Sequence, residues 1–144
     1  MNFNKHIETS RIFVRDLAVT LGSPEDTSKA YRVLRAVFSV LRERLTVEES
    51  FDLISQLQFL LKAAYVDGWR PHRAPSKIRH VDDFVEEVRK ADSKSSDRDF
   101  GNEENARKGI SAVFHTIKLH ISTGEAQDIE HSFPRELRFF WAAA

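Results

Sequence analysis

Cysteine is absent from this chain of 144 residues, and glycine occurs five times, proline four times and methionine once. Without cysteine the protein has no disulfide and no thiolate, and the redox state of its compartment stays open. The glycines are scattered, so neither familiar glycine-rich phosphate-binding loop is present, and the G-x-S-x-G motif of serine hydrolases is missing too. We therefore expect a protein that is not an enzyme and that holds no cofactor.

Long hydrophobic runs are also missing. No window approaches the roughly 20 consecutive apolar residues of a transmembrane helix, and the first six residues lack the apolar core of a secretory signal. We therefore expect no membrane association and a cytoplasmic location. The 22 basic and 22 acidic residues give a formal net charge of zero. That balance argues against attraction of the whole surface to nucleic acid or to an anionic membrane.

The second half of the chain repeats the first. With a shift of 76 residues the alignment runs without a gap from Ala30 and Ala106 to Tyr65 and Trp141, and seven of its 36 paired positions are identical. Unrelated stretches of ordinary composition would match at roughly two positions. The mismatches mostly keep polarity, as in Leu53/Ile129, Leu57/Phe133 and Arg42/Lys118. A duplicated unit is therefore predicted.

The periodicity within each unit is helical, and no stretch shows the alternation of a half-buried strand. A first amphipathic helix is expected to end at Gly22, with Ser23 as N-cap and Pro24 as first residue of the next helix, which runs to about Leu45. The apolar face of that second helix consists of Ala30, Val33, Leu34, Val37, Phe38 and Leu41.

Two capping boxes mark corresponding helix starts. Thr46–Glu49 and Ser122–Glu125 each place a hydroxyl residue three positions before a glutamate. In such a box the glutamate returns to the backbone amide of the cap residue, so we interpret Glu49 and Glu125 as structural. Asp52 and Asp128 follow three residues later and are expected to stabilise the helix dipole or to form ion pairs.

These patterns predict an all-α fold: a single helical-bundle domain of about seven or eight helices, built from two tandem repeated units with pseudo-twofold symmetry. The domain is expected to cover residues 1–144, with repeat unit one at 9–69, a connector at 70–80 and repeat unit two at 81–141. The second unit has gained five residues within the polar, serine-rich segment 91–99, which we expect to be mobile.

The connector is the first candidate functional segment. No acidic residue lies between Asp67 and Asp82, whereas Trp69 and several cations do. Cations beside an aromatic ring and a proline-stiffened backbone can bind phosphate or carboxylate groups. A solvated linker would have the same composition, so both interpretations stay open. The candidate anion-binding residues are Arg70, Arg73, Lys77 and Arg79.

Apolar side chains near the end of each unit form the second candidate. The stretch 59–66 is apolar on nearly all sides, and helical bundles often expose such a face to a partner helix or a second subunit. Burial between the two repeats is the alternative. The candidate interface residues are Phe59, Tyr65, Trp69, Phe139, Phe140 and Trp141.

Metal binding by histidine is not expected. His115 and His120 lie five residues apart, about 140° around a helix, and neither H-x-x-x-H nor H-E-x-x-H occurs among the six histidines. We therefore predict no metal site.

Four segments are similar to a known family: 31–38, 41–49, Gln56-Leu57 and Gly68-Trp69. They resemble the bacterial proteins grouped as domain of unknown function 2267, in a pattern of a leucine-rich helix, R-x-R-L-T-x-E-E, a Q-L-P-type break and a G-W ending. The similarity extends from about Thr9 to Trp141, although Gln58 replaces the usual proline of the first break. The resemblance implies an all-α bacterial protein and no particular activity.

Together these observations favour a non-catalytic interaction or scaffold module that associates with itself or with another protein. The alternative is a small binder of an anionic ligand or nucleic acid, acting through the basic connector.

Overall fold

The computed structural model describes residues 1–71 and 74–144, and these residues form helices and no strand. They pack around one continuous hydrophobic core, so the all-α, single-domain prediction is confirmed. Their nine α-helices are α1 (Phe3–Thr20), α2 (Thr27–Arg44), α3 (Val47–Gln56), α4 (Phe59–Val66), α5 (Val81–Ala91), α6 (Ser96–Asp99), α7 (Glu103–His120), α8 (Thr123–Ser132) and α9 (Arg135–Ala143), with a 3-10 turn at Ser93–Ser95.

The long helices α2 and α7 form the centre of the bundle. Both contact α1 and α5, and they contact one another. Phe38 on α2 and Phe114 on α7 are completely buried, because each helix turns its apolar stripe inward. Around them the ring of Phe38 packs on Tyr65 with centroids 5.1 Å apart, and the ring of Phe114 packs on Trp141 at 5.0 Å.

Helix bounds recur at the spacing of the sequence repeat. Helices α2 and α7 each have 18 residues, α3 and α8 each have 10, and the first residues of each pair are 76 positions apart. Thr46 and Ser122 are the N-caps of α3 and α8, and each accepts a hydrogen bond at 3.1 Å from the amide three residues later. Gln58 and Pro134 occupy the same extended backbone position before α4 and α9.

Side-chain contacts at the ends of α4 and α9 also correspond. Arg42 donates to the carbonyl of Tyr65 at 2.9 Å, and Lys118 donates to the carbonyl of Trp141 at 2.7 Å. Each cation thus donates to a carbonyl near the C-terminal end of a helix, where backbone partners run out.

The predicted N-cap of α2 is wrong. Asp26, and not Ser23, is the N-cap, since its side chain accepts from the amide of Lys29 at 3.0 Å. Ser23 instead accepts from the amide of Asp26 and closes a turn that contains Pro24.

The inserted segment is not a free loop either. It forms the 3-10 turn and α6, and Asp99 at its end is buried against α2. Arg32 holds that carboxylate through two hydrogen bonds of 3.0 and 2.7 Å. Such a bidentate pair fixes both position and orientation, which accounts for the order of the insertion.

Among the described residues, no helix combines the length and the apolar character needed to cross a membrane.

Candidate functional site

The candidate interface residues do not form one surface. Tyr65 and Trp141 are fully buried in the core, so the expectation that they supply exposed apolar area is wrong. Their polar atoms are satisfied inside the fold: the Tyr65 hydroxyl bonds Ser50 at 2.7 Å, and the Trp141 indole donates to the carbonyl of Ala126 at 3.1 Å. A buried aromatic residue with a polar atom needs such a partner, and both residues have one.

The other four aromatic candidates differ in their exposure and in their neighbours. Trp69 is half-buried between Tyr65 and the exposed Phe51, and Phe140 is half-buried against Phe114. Phe59 is 42% exposed beside α1, whereas Phe139 is 63% exposed near the connector. Exposed apolar area is therefore available at Phe59 and Phe139.

An apolar groove lies next to Phe59, between α1, α2 and α4. It has a volume of about 650 Å³ and is flanked by the cations Arg11 and Arg15. Leu60 is 44% exposed in it, and its backbone amide donates to Ser10 at 3.2 Å, which ties the first turn of α4 to α1. The apolar lining consists of Ile7, Val14, Tyr31, Leu60 and Leu61.

The connector cations that the structure describes do not converge on one site. Arg70, Lys77 and Arg79 are exposed, whereas Arg73 lies outside the described residues. Lys77 faces a groove between α2 and α5 in which carboxylates predominate. The acidic residues of that groove are Glu43, Asp83, Glu86 and Glu87.

Arg79 has different surroundings. It lines a pocket of about 410 Å³ together with Arg135 and Phe139. The pKa of nearby Arg44 is lowered mainly by burial and further by the positive charge of Arg79. The same pocket contains Glu136, which accepts hydrogen bonds from the side chain of His80 at 3.0 Å and from a backbone amide. Arg79 and Arg135 of this pocket can therefore contact an anion, while the carboxylate of Glu136 is already hydrogen-bonded.

A cluster of carboxylates lies where α3 meets α8. Glu49 and Asp52 on α3 and Glu125 on α8 each offer an oxygen, and these three oxygens lie within 4.8 Å of one another. Helix α3 is tied to the start of α8 by a further bond, from the amide of Ser122 to Gln56 at 2.6 Å. The two glutamates are the third residues of their helices, so the N-terminal turns bring them together.

The glutamates do not act as the capping boxes predict. Thr46 and Ser122 accept from the amides of Glu49 and Glu125, but the described hydrogen bonds include no return bond from either carboxylate. The Oε1 atom of each glutamate is buried and lacks a donor among the described residues. The cluster therefore contains two buried oxygen atoms that accept no hydrogen bond in the described part of the chain.

Glu125 is the most perturbed member of this cluster. It is 5% exposed, and burial is the largest cause of a pKa raised to about 9. Hydrogen bonding to Glu49 in the protonated state and the negative charges of Glu49, Asp52 and Asp128 raise the pKa further. The arrangement stabilises whatever positive charge approaches it, whether a proton or a cation.

The histidine pattern led to the prediction of no metal site, and the carboxylate cluster was not predicted from the sequence. One signal was present: the identical pairs Glu49/Glu125 and Asp52/Asp128 are the acidic identities within the repeat. The capping interpretation explained the glutamates separately, and it gave no reason to place α3 beside α8.

Comparison with known proteins gives one family. The family model described as "Uncharacterized conserved protein (DUF2267)" matches residues 11–140. No curated protein matches the chain.

Proposed function

The chain belongs to the DUF2267 family of uncharacterised conserved proteins, and from that premise we propose that it is a non-catalytic helical interaction module that associates with a second copy of itself. The observation that carries the proposal is the apolar groove formed by α1, α2 and α4. Contiguous exposed apolar side chains beside a groove are typical of a protein-binding surface. A bacterial and cytoplasmic setting remains a prediction of the sequence.

Charge on α1 supports a second copy as the occupant. Glu8 and Arg15 are exposed and lie seven residues apart, so they occupy the same flank of the helix. When two copies of α1 pair in antiparallel orientation, the same flank of each helix meets, as in antiparallel coiled coils. Centred between Arg11 and Ile12, this pairing places Glu8 of each copy opposite Arg15 of the other. The apolar groove lies beside the paired helices.

The experiment is the solution mass over a range of concentrations, with a variant on each apolar surface. We expect the wild-type protein to dimerise, and Leu60→Glu to be monomeric because it places a charge in the groove. Phe139→Glu is the matched control, since it changes an exposed aromatic residue in a different pocket. A wild-type monomer at all concentrations, or equal dimerisation of both variants, would overturn the proposal.

We also infer that the domain is a tandem duplication with approximate twofold symmetry. The equal lengths of α2 and α7 and of α3 and α8 support this inference. So do the paired contacts of Arg42 with Tyr65 and of Lys118 with Trp141. The test is superposition of residues 30–65 on 106–141 in an experimental structure; different helix order in the two copies would contradict it.

Anion or nucleic-acid binding remains the second candidate, and the pair Arg79 and Arg135 is the observation that favours it. Binding to phosphates would weaken with salt at a slope of about 0.9 per contact on duplex DNA. Dimerisation through the apolar groove and two Glu8–Arg15 contacts should depend on salt less steeply, because it releases no condensed counterions and only the two ion pairs are screened. Oligonucleotide binding with a steep salt dependence by a strict monomer would favour this second function over the first.

A further inference from the structure

We infer that the carboxylate cluster of Glu49, Asp52 and Glu125 is a binding site for a hard divalent cation, Ca²⁺ in preference to Mg²⁺, which bridges α3 and α8. This inference is independent of self-association, since the cluster and the apolar groove have no lining residue in common.

The first argument is the unsatisfied burial of Glu125. The side chain is 95% removed from solvent, since 5% is exposed, and its Oε1 atom lacks a donor in the described part of the chain. An ionised carboxylate in such a place is strongly unfavourable unless a positive charge compensates it. The Oε1 atom of Glu49 is also buried and also lacks a donor in the described part of the chain. The fold thus places a buried acid, Glu125, beside a half-buried one, Glu49.

The second argument is the geometry of the three oxygens. Ca²⁺ binds oxygens at about 2.3–2.6 Å, so ligands on opposite sides of the ion lie about 4.6–5.2 Å apart. A span of up to 4.8 Å between Glu49, Asp52 and Glu125 fits within that sphere. Mg²⁺, at about 2.0–2.1 Å, demands near-ideal octahedral geometry, whereas Ca²⁺ accepts the irregular arrangement of oxygens that two separate helices supply. The donor set is all oxygen, which is typical of sites for hard cations.

The third argument is access. Asp52 is exposed and Glu49 is half-buried, so a cation reaches the buried Glu125 from the solvent side and completes its coordination there with water. Asp128 is exposed and close enough to act on the charge of Glu125, so it adds negative potential at the same entrance.

A proton is the competing occupant. Glu125 in its neutral form can donate to Glu49, and this bond satisfies the pair without any metal. The two occupants differ in their response to pH, because a cation requires ionised ligands and so binds more tightly as pH rises. Proton sharing predicts no response to Ca²⁺ at any pH.

The experiment is thermal unfolding of the full chain during titration with Ca²⁺ and, separately, with Mg²⁺, at pH 7 and pH 8.5. We expect a saturable rise in the unfolding temperature with Ca²⁺, half-saturation at a lower concentration at the higher pH, and a weaker effect of Mg²⁺. Glu125→Gln should lose at least tenfold in apparent Ca²⁺ affinity. Glu48→Gln is the matched control, because Glu48 is exposed on the first turn of α3 and lies outside the cluster.

Terbium luminescence gives a second readout that does not depend on stability. Tb³⁺ substitutes for Ca²⁺ and is sensitised by nearby aromatic residues. Tyr65 and Trp141 are hydrogen-bonded to Ser50 and Ala126, the residues that follow Glu49 and Glu125. We expect sensitised emission that Ca²⁺ displaces and that Glu125→Gln reduces. No shift with Ca²⁺ in the wild-type protein, or the same half-saturation and emission in Glu125→Gln, would overturn the inference in favour of a shared proton or of non-specific screening.

Discussion

Asp92 is a carboxyl group that the fold places beside a second carboxyl group. Its Oδ2 atom is buried and accepts no hydrogen bond in the described part of the chain. Burial first, and then the neighbouring Asp99, raise the pKa of Asp92 to about 7, although Arg32 and Arg98 act in the opposite direction. Asp99 itself, bonded to Arg32, keeps a lowered pKa in spite of its burial. One carboxyl of the pair is thus held ionised and the other neutral.

This pair makes stability depend on pH. The folded pKa of Asp92 exceeds its ordinary value of 3.8, so the folded state binds the proton more tightly, and its stabilising contribution is lost as pH rises from about 4 through about 7. Asp92→Asn should therefore gain stability relative to wild type as pH rises across this range. Urea unfolding at pH 4.5, 6, 7 and 8 measures the difference, and Asp97→Asn, on a residue nearby in α6, is the control. A difference that does not change with pH would contradict the assignment.

The N-caps of α3 and α8 are a second feature at this scale. Thr46→Ala and Ser122→Ala should each reduce the free energy of unfolding by about 0.5–2 kcal/mol, because each removes the acceptor of an amide at the helix start. Thr46→Ser keeps the acceptor and should be nearly neutral. Chemical denaturation measures all three, and an equal loss in Thr46→Ser would assign the effect to packing of the methyl group instead.

Among the elements, α2 and α7 contribute central core residues, and replacing a large core side chain by alanine should have a similar effect in each. Phe38→Ala and Phe114→Ala should each cost about 3–5 kcal/mol, since both rings are completely buried and pack on aromatic neighbours. Phe51→Ala is the control, because Phe51 is 55% exposed. A loss well under 1 kcal/mol at Phe38 and Phe114 in equilibrium unfolding would refute their place in the core.

Element order and most helix bounds could be predicted from sequence, because the apolar stripes of α2 and α7 and the caps at Thr46 and Ser122 are local signals. The N-cap of α2 could not be assigned in this way: Ser23 and Asp26 are both good caps, and the turn around Pro24 decides between them. That the inserted segment folds into α6 could not be predicted either. It depends on a pairing between Arg32 and Asp99, which are 67 residues apart.

At the scale of the whole molecule, the sequence could not predict which apolar residues remain exposed. Tyr65 and Phe59 lie in the same short helix, yet one is buried in the core and the other is exposed. The carboxylate cluster was beyond local reasoning for the same reason, because the contact between α3 and α8 brings Glu49 and Glu125 together. Sites formed between helices that are distant in sequence depend on packing, which the periodicity of a single helix does not predict.

The most direct test of self-association is a charge exchange on α1, followed by sedimentation equilibrium. The wild-type protein should dimerise. Arg15→Glu should weaken dimerisation at least tenfold, since it places the new carboxylate of one copy against Glu8 of the other in two symmetric contacts. The double variant Glu8→Arg, Arg15→Glu should restore the wild-type dissociation constant. Equal masses for all three proteins, or a double variant no better than Arg15→Glu, would contradict an antiparallel dimer through this surface.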